Sequence, residues 1–189
     1  MISGTDIILV TSVVWLGSEI ALSRVKHSRS SDVQLDKSSI RVLWLTIVIS
    51  IVVGIAVASS RIGYVESAAR LAGIAGLVSI LCGLVIRWIA ILTLRRYFTV
   101  DVAIAKDHHL VRAGIYRFVR HPAYTGSLLS FAGLGLSFSN YLTLALIVVP
   151  ISAAFLHRIR IEEEALVRVF GEEYLSYRAS TRRLIPGIY

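Results

Sequence analysis

Residues 106–126 read KDHHLVRAGIYRFVRHPAYTG and gather groups suited to holding an anion. Pro122 fits the first turn of a helix, where its missing N–H has no helical partner to lose. His121 precedes a proline and is pushed towards extended backbone. The spacing therefore predicts a helix starting at His121-Pro122, whose free N–H groups would attract a carboxylate or phosphate. Arg117 and Arg120 add positive potential there. The plainer alternative is a helix start with Arg, His and Tyr anchors at a membrane interface.

A second group of residues lies in FLHRIRIEEEALVRVFGEEYLSYRASTRRLIP. Arg158 and Glu162 are four apart and share one helix face. Glu163 lies about 100° further round and can pair back to Arg160. Glu164, Arg168, Glu172 and Glu173 read as a surface helix laced with weak ion pairs. Arg158 and Glu162 instead sit where an apolar segment ends, and an ionisable pair at that depth is a functional candidate.

Metal chemistry is poorly supplied. His108, His109 and His121 have only Asp101 and Asp107 as nearby carboxylates, adjacent histidines need not face one point, and no cysteine joins them. The single cysteine, Cys82, lies in an apolar segment and cannot build a disulfide framework. No metal is expected. Glycine-rich nucleotide fingerprints of the G-x-G-x-x-G or P-loop kind do not occur.

The elements that must position these residues belong in a bilayer. Of 189 residues, 56% are hydrophobic and 17% charged, against about 25% charged in soluble proteins. Mean hydropathy is +0.73. That balance excludes a soluble enzyme and a disordered chain. The net charge of +8 then suits anionic lipid and membrane topology, and no nucleic-acid partner is expected.

Crossing the hydrocarbon core takes about 20 apolar residues. Ile7–Leu22 is apolar apart from Glu19, and it reads as a retained span because no basic stretch precedes it. Val42–Ser60 is free of charge, and Leu71–Leu94 carries only Arg87, which either functions there or snorkels to the surface. Pro122–His157 is long enough for two spans folded back at Ser137–Asn140. Gly54 with Ala58, and Ala69 with Gly73, are spaced for close helix packing. Five spans place the basic residues of segments 24–41, 95–120 and 158–189 on one side. Those segments hold seventeen of the twenty Lys and Arg, with Arg61 and Arg70 opposite. The N-terminus is thus expected outside and the C-terminus in the cytosol, in the cell membrane. His109 and Tyr189 would be cytosolic, Gly63 and Ser139 on the far side. The fold expected is all-α and polytopic, with three spans in residues 1–100, two in 101–189, and a cytosolic C-terminal helix.

The two motif segments resemble the isoprenylcysteine carboxyl methyltransferase family. The block H-x-L-V-x-x-G-x-Y-x-x-x-R-H-P-x-Y-x-G is met by His108, Leu110, Val111, Gly114, Tyr116, Arg120, His121, Pro122, Tyr124 and Gly126. The block R-x-x-x-E-E-x-x-L-x-x-x-F-G-x-E-Y-x-x-Y is met by Arg158, Glu162, Glu163, Leu166, Phe170, Gly171, Glu173, Tyr174 and Tyr177. Phospholipid methyltransferases and some membrane sterol reductases share a weaker version of the second block.

The resemblance implies S-adenosylmethionine as methyl donor, in a cytosol-facing pocket between the last two spans. Its contacts would be His108, His109, Leu110, Val111, Tyr116, His121, Pro122, Ala123, Tyr124 and Glu162, with Arg158 holding the acceptor carboxylate. Asp101 departs from the amide that eukaryotic members tend to carry there, so no contact is assigned to it. The implied function is methyl transfer to the carboxylate of a lipophilic substrate such as a C-terminal isoprenylcysteine. The alternatives are N-methylation of a phospholipid amine, or a non-enzymatic membrane scaffold or transporter subunit.

Overall fold

The computed structural model describes residues 4–25, 33–36, 38–95, 102–104 and 109–187. Asp101 and His108 lie outside the described residues. Among the described residues six α-helices follow in order: α1 (Gly4–Val25), α2 (Ser38–Ser60), α3 (Ala69–Leu94), α4 (Pro122–Ser137), α5 (Tyr141–Phe170) and α6 (Glu172–Ser180). The first five fall on the apolar stretches expected to be helical. One element was not foreseen: β1 (Val33–Asp36) pairs antiparallel with β2 (Val102–Ile104), Val33 opposite Ile104. This ribbon ties the connection after α1 to the one after α3.

Among the described residues, three helical stretches are long and apolar enough to cross a bilayer: Ser38–Ser60, Glu66–Leu94 and Tyr141–Phe170. The other two are shorter. The apolar part of α1 is Val10–Leu22, and α4 has 16 residues, about 24 Å at the helical rise. The 36-residue stretch is thus divided unequally. Helix α5 takes 30 residues and runs unbroken through Pro150 and past His157 to Phe170. Arg158, Glu162 and Glu163 are therefore fixed to the same rigid rod as the apolar segment before them.

The turn expected at Ser137–Asn140 is capped and clasped. Asn140 accepts from the Thr143 amide at 3.0 Å, capping α5, and its Nδ2 donates to the Ile62 carbonyl at 2.8 Å. Ser139 donates through Oγ to the Val65 carbonyl at 2.7 Å. The α2–α3 and α4–α5 connections consequently meet at one end of the bundle.

The core is built on Trp15, Leu43, Ile47, Ile80, Phe131, Leu134, Ile147, Ile151 and Phe155. Trp15 meets Phe131 edge-on at 4.8 Å. The outer faces of α1, α2 and α3 expose Val14, Leu45, Val52, Ile74, Val85 and Leu92, an apolar belt fit for lipid rather than water.

Helices α3 and α4 touch backbone to backbone. A Cβ at Gly126 would lie 2.5 Å from the Gly83 carbonyl, and one at Gly133 would lie 2.6 Å from the Gly76 carbonyl. Both pairs are spaced by seven residues, so the glycines form matching stripes that allow close approach. Gly54 likewise faces Ile147 of α5. Replacing Gly126 by Val should therefore separate the two helices. Overpacking against unyielding backbone costs about 3 kcal/mol, which corresponds to roughly 6–12 °C in unfolding midpoint for a chain of this size. Thermal unfolding in detergent checks this; an unchanged midpoint would mean the helices can part freely.

Candidate active site

The site is organised around one hydroxyl. Tyr124, in the first turn of α4, donates from Oη to Glu162 Oε2 at 2.8 Å and accepts from Arg158 Nε at 3.1 Å. Arg158 and Glu162 are one helical turn apart on α5, so the two motif blocks converge on a single phenol. Arg158 is only 2% exposed. Its Nη1 donates to Ser39 Oγ at 2.8 Å, which brings the first turn of α2 into the site. Glu162 retains about a third of its side-chain exposure, leaving carboxylate surface for a further donor. The Tyr124 ring packs on Phe155 at 5.2 Å and on His121 at 5.7 Å.

His121 is 4% exposed and stands between two carboxylates. Its Nε2 lies 3.3 Å from Glu163 Oε1 and its Nδ1 4.0 Å from Glu162 Oε2. Pro122 and Ala123 are buried behind it at the helix start. The amides of Tyr124 and Thr125 turn back onto the His121 carbonyl, both at 3.1 Å. The start of α4 therefore offers fewer open N–H donors than its sequence implies. Side chains, rather than the bare helix end, do most of the polar lining.

Tyr116 lies in a 3₁₀ turn (Gly114–Arg117) just before α4. It packs with Leu22, Ala90, Ile91 and Ala123, so it reaches the site through the Ala123 side while Tyr124 occupies the Phe155 side. Burial, and then the Glu162 carboxylate, push the Tyr116 hydroxyl well above the ordinary phenol range, and it stays a donor. Tyr177 of α6 donates to the Tyr116 carbonyl at 2.6 Å. Burial pushes that hydroxyl up to about 12, so α6 braces this turn at neutral pH. Leu110 and Val111 are half-buried and His109 is exposed, on the stretch leading into the turn.

One expectation is corrected. Glu163 does not look back to Arg160, which is exposed. The rotation along α5 turns Glu163 inward, where it accepts from Arg120 Nε at 3.0 Å and Arg183 Nη2 at 2.8 Å. The segment after α6 also pairs in parallel with the segment before α4. The Arg120 amide donates to the Arg182 carbonyl at 2.8 Å, and the His121 amide to the Arg183 carbonyl at 3.1 Å. Thr125 Oγ1 donates to the Leu184 carbonyl at 2.7 Å. Residues 182–184 thus form a wall of the site.

Sequence reasoning missed Glu163, Arg183 and Ser39 as site components. The Glu162-Glu163 doublet carried a signal, because neighbours on a helix face different partners. Ser39 carried none. The plain ion-pair reading holds on the outer surface, where Glu164 and Arg168 pair at 4.0 Å, both exposed. Among the described residues, no group of three or more His, Cys, Asp or Glu is placed to hold a metal.

Comparison with known proteins follows the same geometry. Residues 75–168 match the family model described as isoprenylcysteine carboxyl methyltransferase. The chain is 35% identical over 113 residues to protein-S-isoprenylcysteine O-methyltransferase A of Arabidopsis thaliana, covering 59% of this chain and 57% of that protein. It is 33% identical over 123 residues to the corresponding Saccharomyces cerevisiae protein, covering 64% and 52%. The chain thus spans little more than half the length of the curated relatives it matches. A solved structure of a eukaryotic intramembrane Ras methyltransferase superposes with a TM-score of 0.59 at 29% identity, covering 79% of this chain and 51% of that one. The matched stretch opens within α3 and closes within α5, taking in both helices whose residues meet at the Tyr124 hydroxyl, so those residues lie within the part of the chain that is similar to the isoprenylcysteine carboxyl methyltransferase family.

Proposed function

We propose that this protein transfers a methyl group from S-adenosylmethionine to the carboxylate of a lipophilic acceptor, of which a C-terminal isoprenylcysteine is the leading example. The observation that carries the reading is the buried Arg158 set one hydroxyl away from the partly exposed Glu162. A guanidinium suited to a carboxylate and a carboxylate suited to hydroxyl or amino donors stand side by side, bridged by Tyr124.

The residues present fit both ligands. Glu162 would accept from the donor's hydroxyl or amino groups, with His121, Pro122, Ala123, Tyr116 and Tyr124 lining the same end of α4. The strip from His108 to Val111 would extend that contact. Bound there, S-adenosylmethionine supplies a methyl already activated on a sulfonium. An acceptor carboxylate with a pKa near 4 is ionised at neutral pH, so the chain need not supply a general base. Arg158 binds and orients that carboxylate through two parallel hydrogen bonds. Tyr124 fixes the guanidinium plane, and Phe155 with Tyr124 excludes water. The task left to the protein is alignment and desolvation.

Methyl transfer in detergent to a prenylated cysteine, set against phosphatidylethanolamine, tests the assignment. A carboxylate acceptor should be methylated at a rate nearly flat from about pH 6 to 8. An amine must first lose a proton, so transfer to phosphatidylethanolamine with a rate rising steeply over that window would replace the carboxylate reading with the phospholipid one.

The site is proposed to face the cytosol, with five passes and the C-terminal helix on that side, in the cell membrane. The support is the basic asymmetry of the sequence together with the joining of Ser39, Arg120, Arg158 and Arg183 at one end of the bundle. In a Cys82→Ser background, a cysteine at Ser180 should resist an impermeant reagent added to intact cells, and one at Gly63 should react. The reverse pattern would invert the topology.

A further inference from the structure

Helix α1 lies outside the matched residues 75–168, yet it carries a carboxylate into the apolar bundle. Glu19 pairs with the Arg87 guanidinium of α3 through Nε and Nη2, both side chains being nearly buried at 13% and 12% exposure. The remaining arm of the fork is aimed elsewhere: Arg87 Nη1 donates to the Ala123 carbonyl at 3.2 Å. Ala123 stands between His121 and Tyr124 in the first turn of α4. The backbone there is already pressed on α3, since a Cβ at Gly126 would lie 2.7 Å from the Arg87 amide nitrogen. Leu22, one turn beyond Glu19, packs with Tyr116 and Ala123.

A lone arginine in an apolar segment would extend to the surface. This one is turned inward instead. Its Nη2 donates to the Glu19 carboxylate, whose other oxygen lies against Nε as an ion-pair contact without a hydrogen bond. The guanidinium is held by that carboxylate, with Nη1 turned to one helical carbonyl. A carbonyl in the first turn that receives this extra donor is pinned in position and rotation, and with it the His121 and Tyr124 side chains on either side.

We propose that Arg87, locked by Glu19, is a positioning residue that fixes the first turn of α4 and thereby the His121–Tyr124 face of the methyl-donor site. The functional sense of this inference rests on the methyltransferase reading. Its structural sense does not.

Three forms of the full chain in detergent separate the possibilities: wild type, Glu19→Leu/Arg87→Leu, and the exchange Glu19→Arg/Arg87→Glu. Hydrogen exchange is read at residues 121–127 and at 130–137. The leucine pair should speed exchange in the first segment by about tenfold and leave the second unchanged, a local opening rather than a global one. S-Adenosylmethionine affinity, measured by calorimetry, should fall by about tenfold. The exchanged pair restores opposite charges, but a carboxylate on α3 in place of the guanidinium has no N–H to donate to the Ala123 carbonyl. Its unfolding midpoint should recover while fast exchange and weak binding persist. If affinity and exchange recover together with the midpoint, the pair is merely structural and the proposal falls. Unaltered exchange at 121–127 in the leucine pair also overturns it, whether or not ligand binds. Failure of wild type to bind S-adenosylmethionine would instead sink the methyltransferase reading, and the exchange measurement would still decide the positioning role.

Discussion

Arg158→Lys should lower kcat/KM for a carboxylate acceptor by about a hundredfold. A lysine keeps the charge but not the fork, so it cannot bind two carboxylate oxygens in parallel. Losing one charge-assisted hydrogen bond costs about 1.5–3 kcal/mol, and each 1.4 kcal/mol is roughly tenfold in rate. The structure adds a second reason. Arg158 Nε also orients the Tyr124 hydroxyl, and Nη1 holds Ser39, so an ammonium would have to abandon at least one of these. The bridge suggests a companion variant. Tyr124→Phe removes the hydroxyl shared by Arg158 and Glu162 and should weaken both ligands by several-fold, whereas Arg158→Lys should spare most donor affinity. Calorimetric titration with S-adenosylmethionine and a steady-state acceptor series read the two effects separately. Full activity in Arg158→Lys would remove the acceptor carboxylate from this position.

Glu163→Ala should destabilise the fold more than any other single change at the site. The carboxylate is 5% exposed and serves Arg120, His121 and Arg183 together. Its removal leaves two guanidinium groups facing each other with little water to screen them. Breaking a buried pair by deleting one partner costs about 3–5 kcal/mol, a large fraction of the roughly 5–15 kcal/mol that holds a domain folded. The unfolding midpoint should fall by roughly 6–20 °C. The segment after α6 should also loosen, because Arg183 anchors it beside the backbone pairing of residues 118–121 with 182–183. Limited trypsin cleavage at Arg182 and Arg183 should accelerate. Glu163→Gln keeps an acceptor oxygen in the same place and should retain part of the midpoint. A Glu163→Ala protein that melts and cleaves like wild type would show that the cluster contributes little.

The helices were legible because apolar length is a local property. Runs such as Val42–Ser60 and Leu71–Leu94 leave no polar group to satisfy in lipid except the backbone's own, so each becomes a helix whatever its neighbours do. Pro122 and Asn140 mark helix starts by chemistry confined to a few residues. The convergence of the H-P-x-Y and R-x-x-x-E-E residues was legible through resemblance, and Tyr124, Arg158 and Glu162 do share one set of hydrogen bonds.

The partners of Glu163, Ser39 and Arg87 were another matter. Which way Glu163 faces depends on the rotation of α5 against α4, and its contacts lie 43 residues upstream and 20 downstream. Ser39 reaches Arg158 across 119 residues. Glu19 meets Arg87 across 68, where sequence alone left Arg87 equally free to reach the surface. Periodicity fixes which residues share a face of one helix, but not the rotation of that helix against the next. That rotation is set by how closely backbones approach, here through Gly76, Gly83, Gly126 and Gly133. Only the packed bundle decides it.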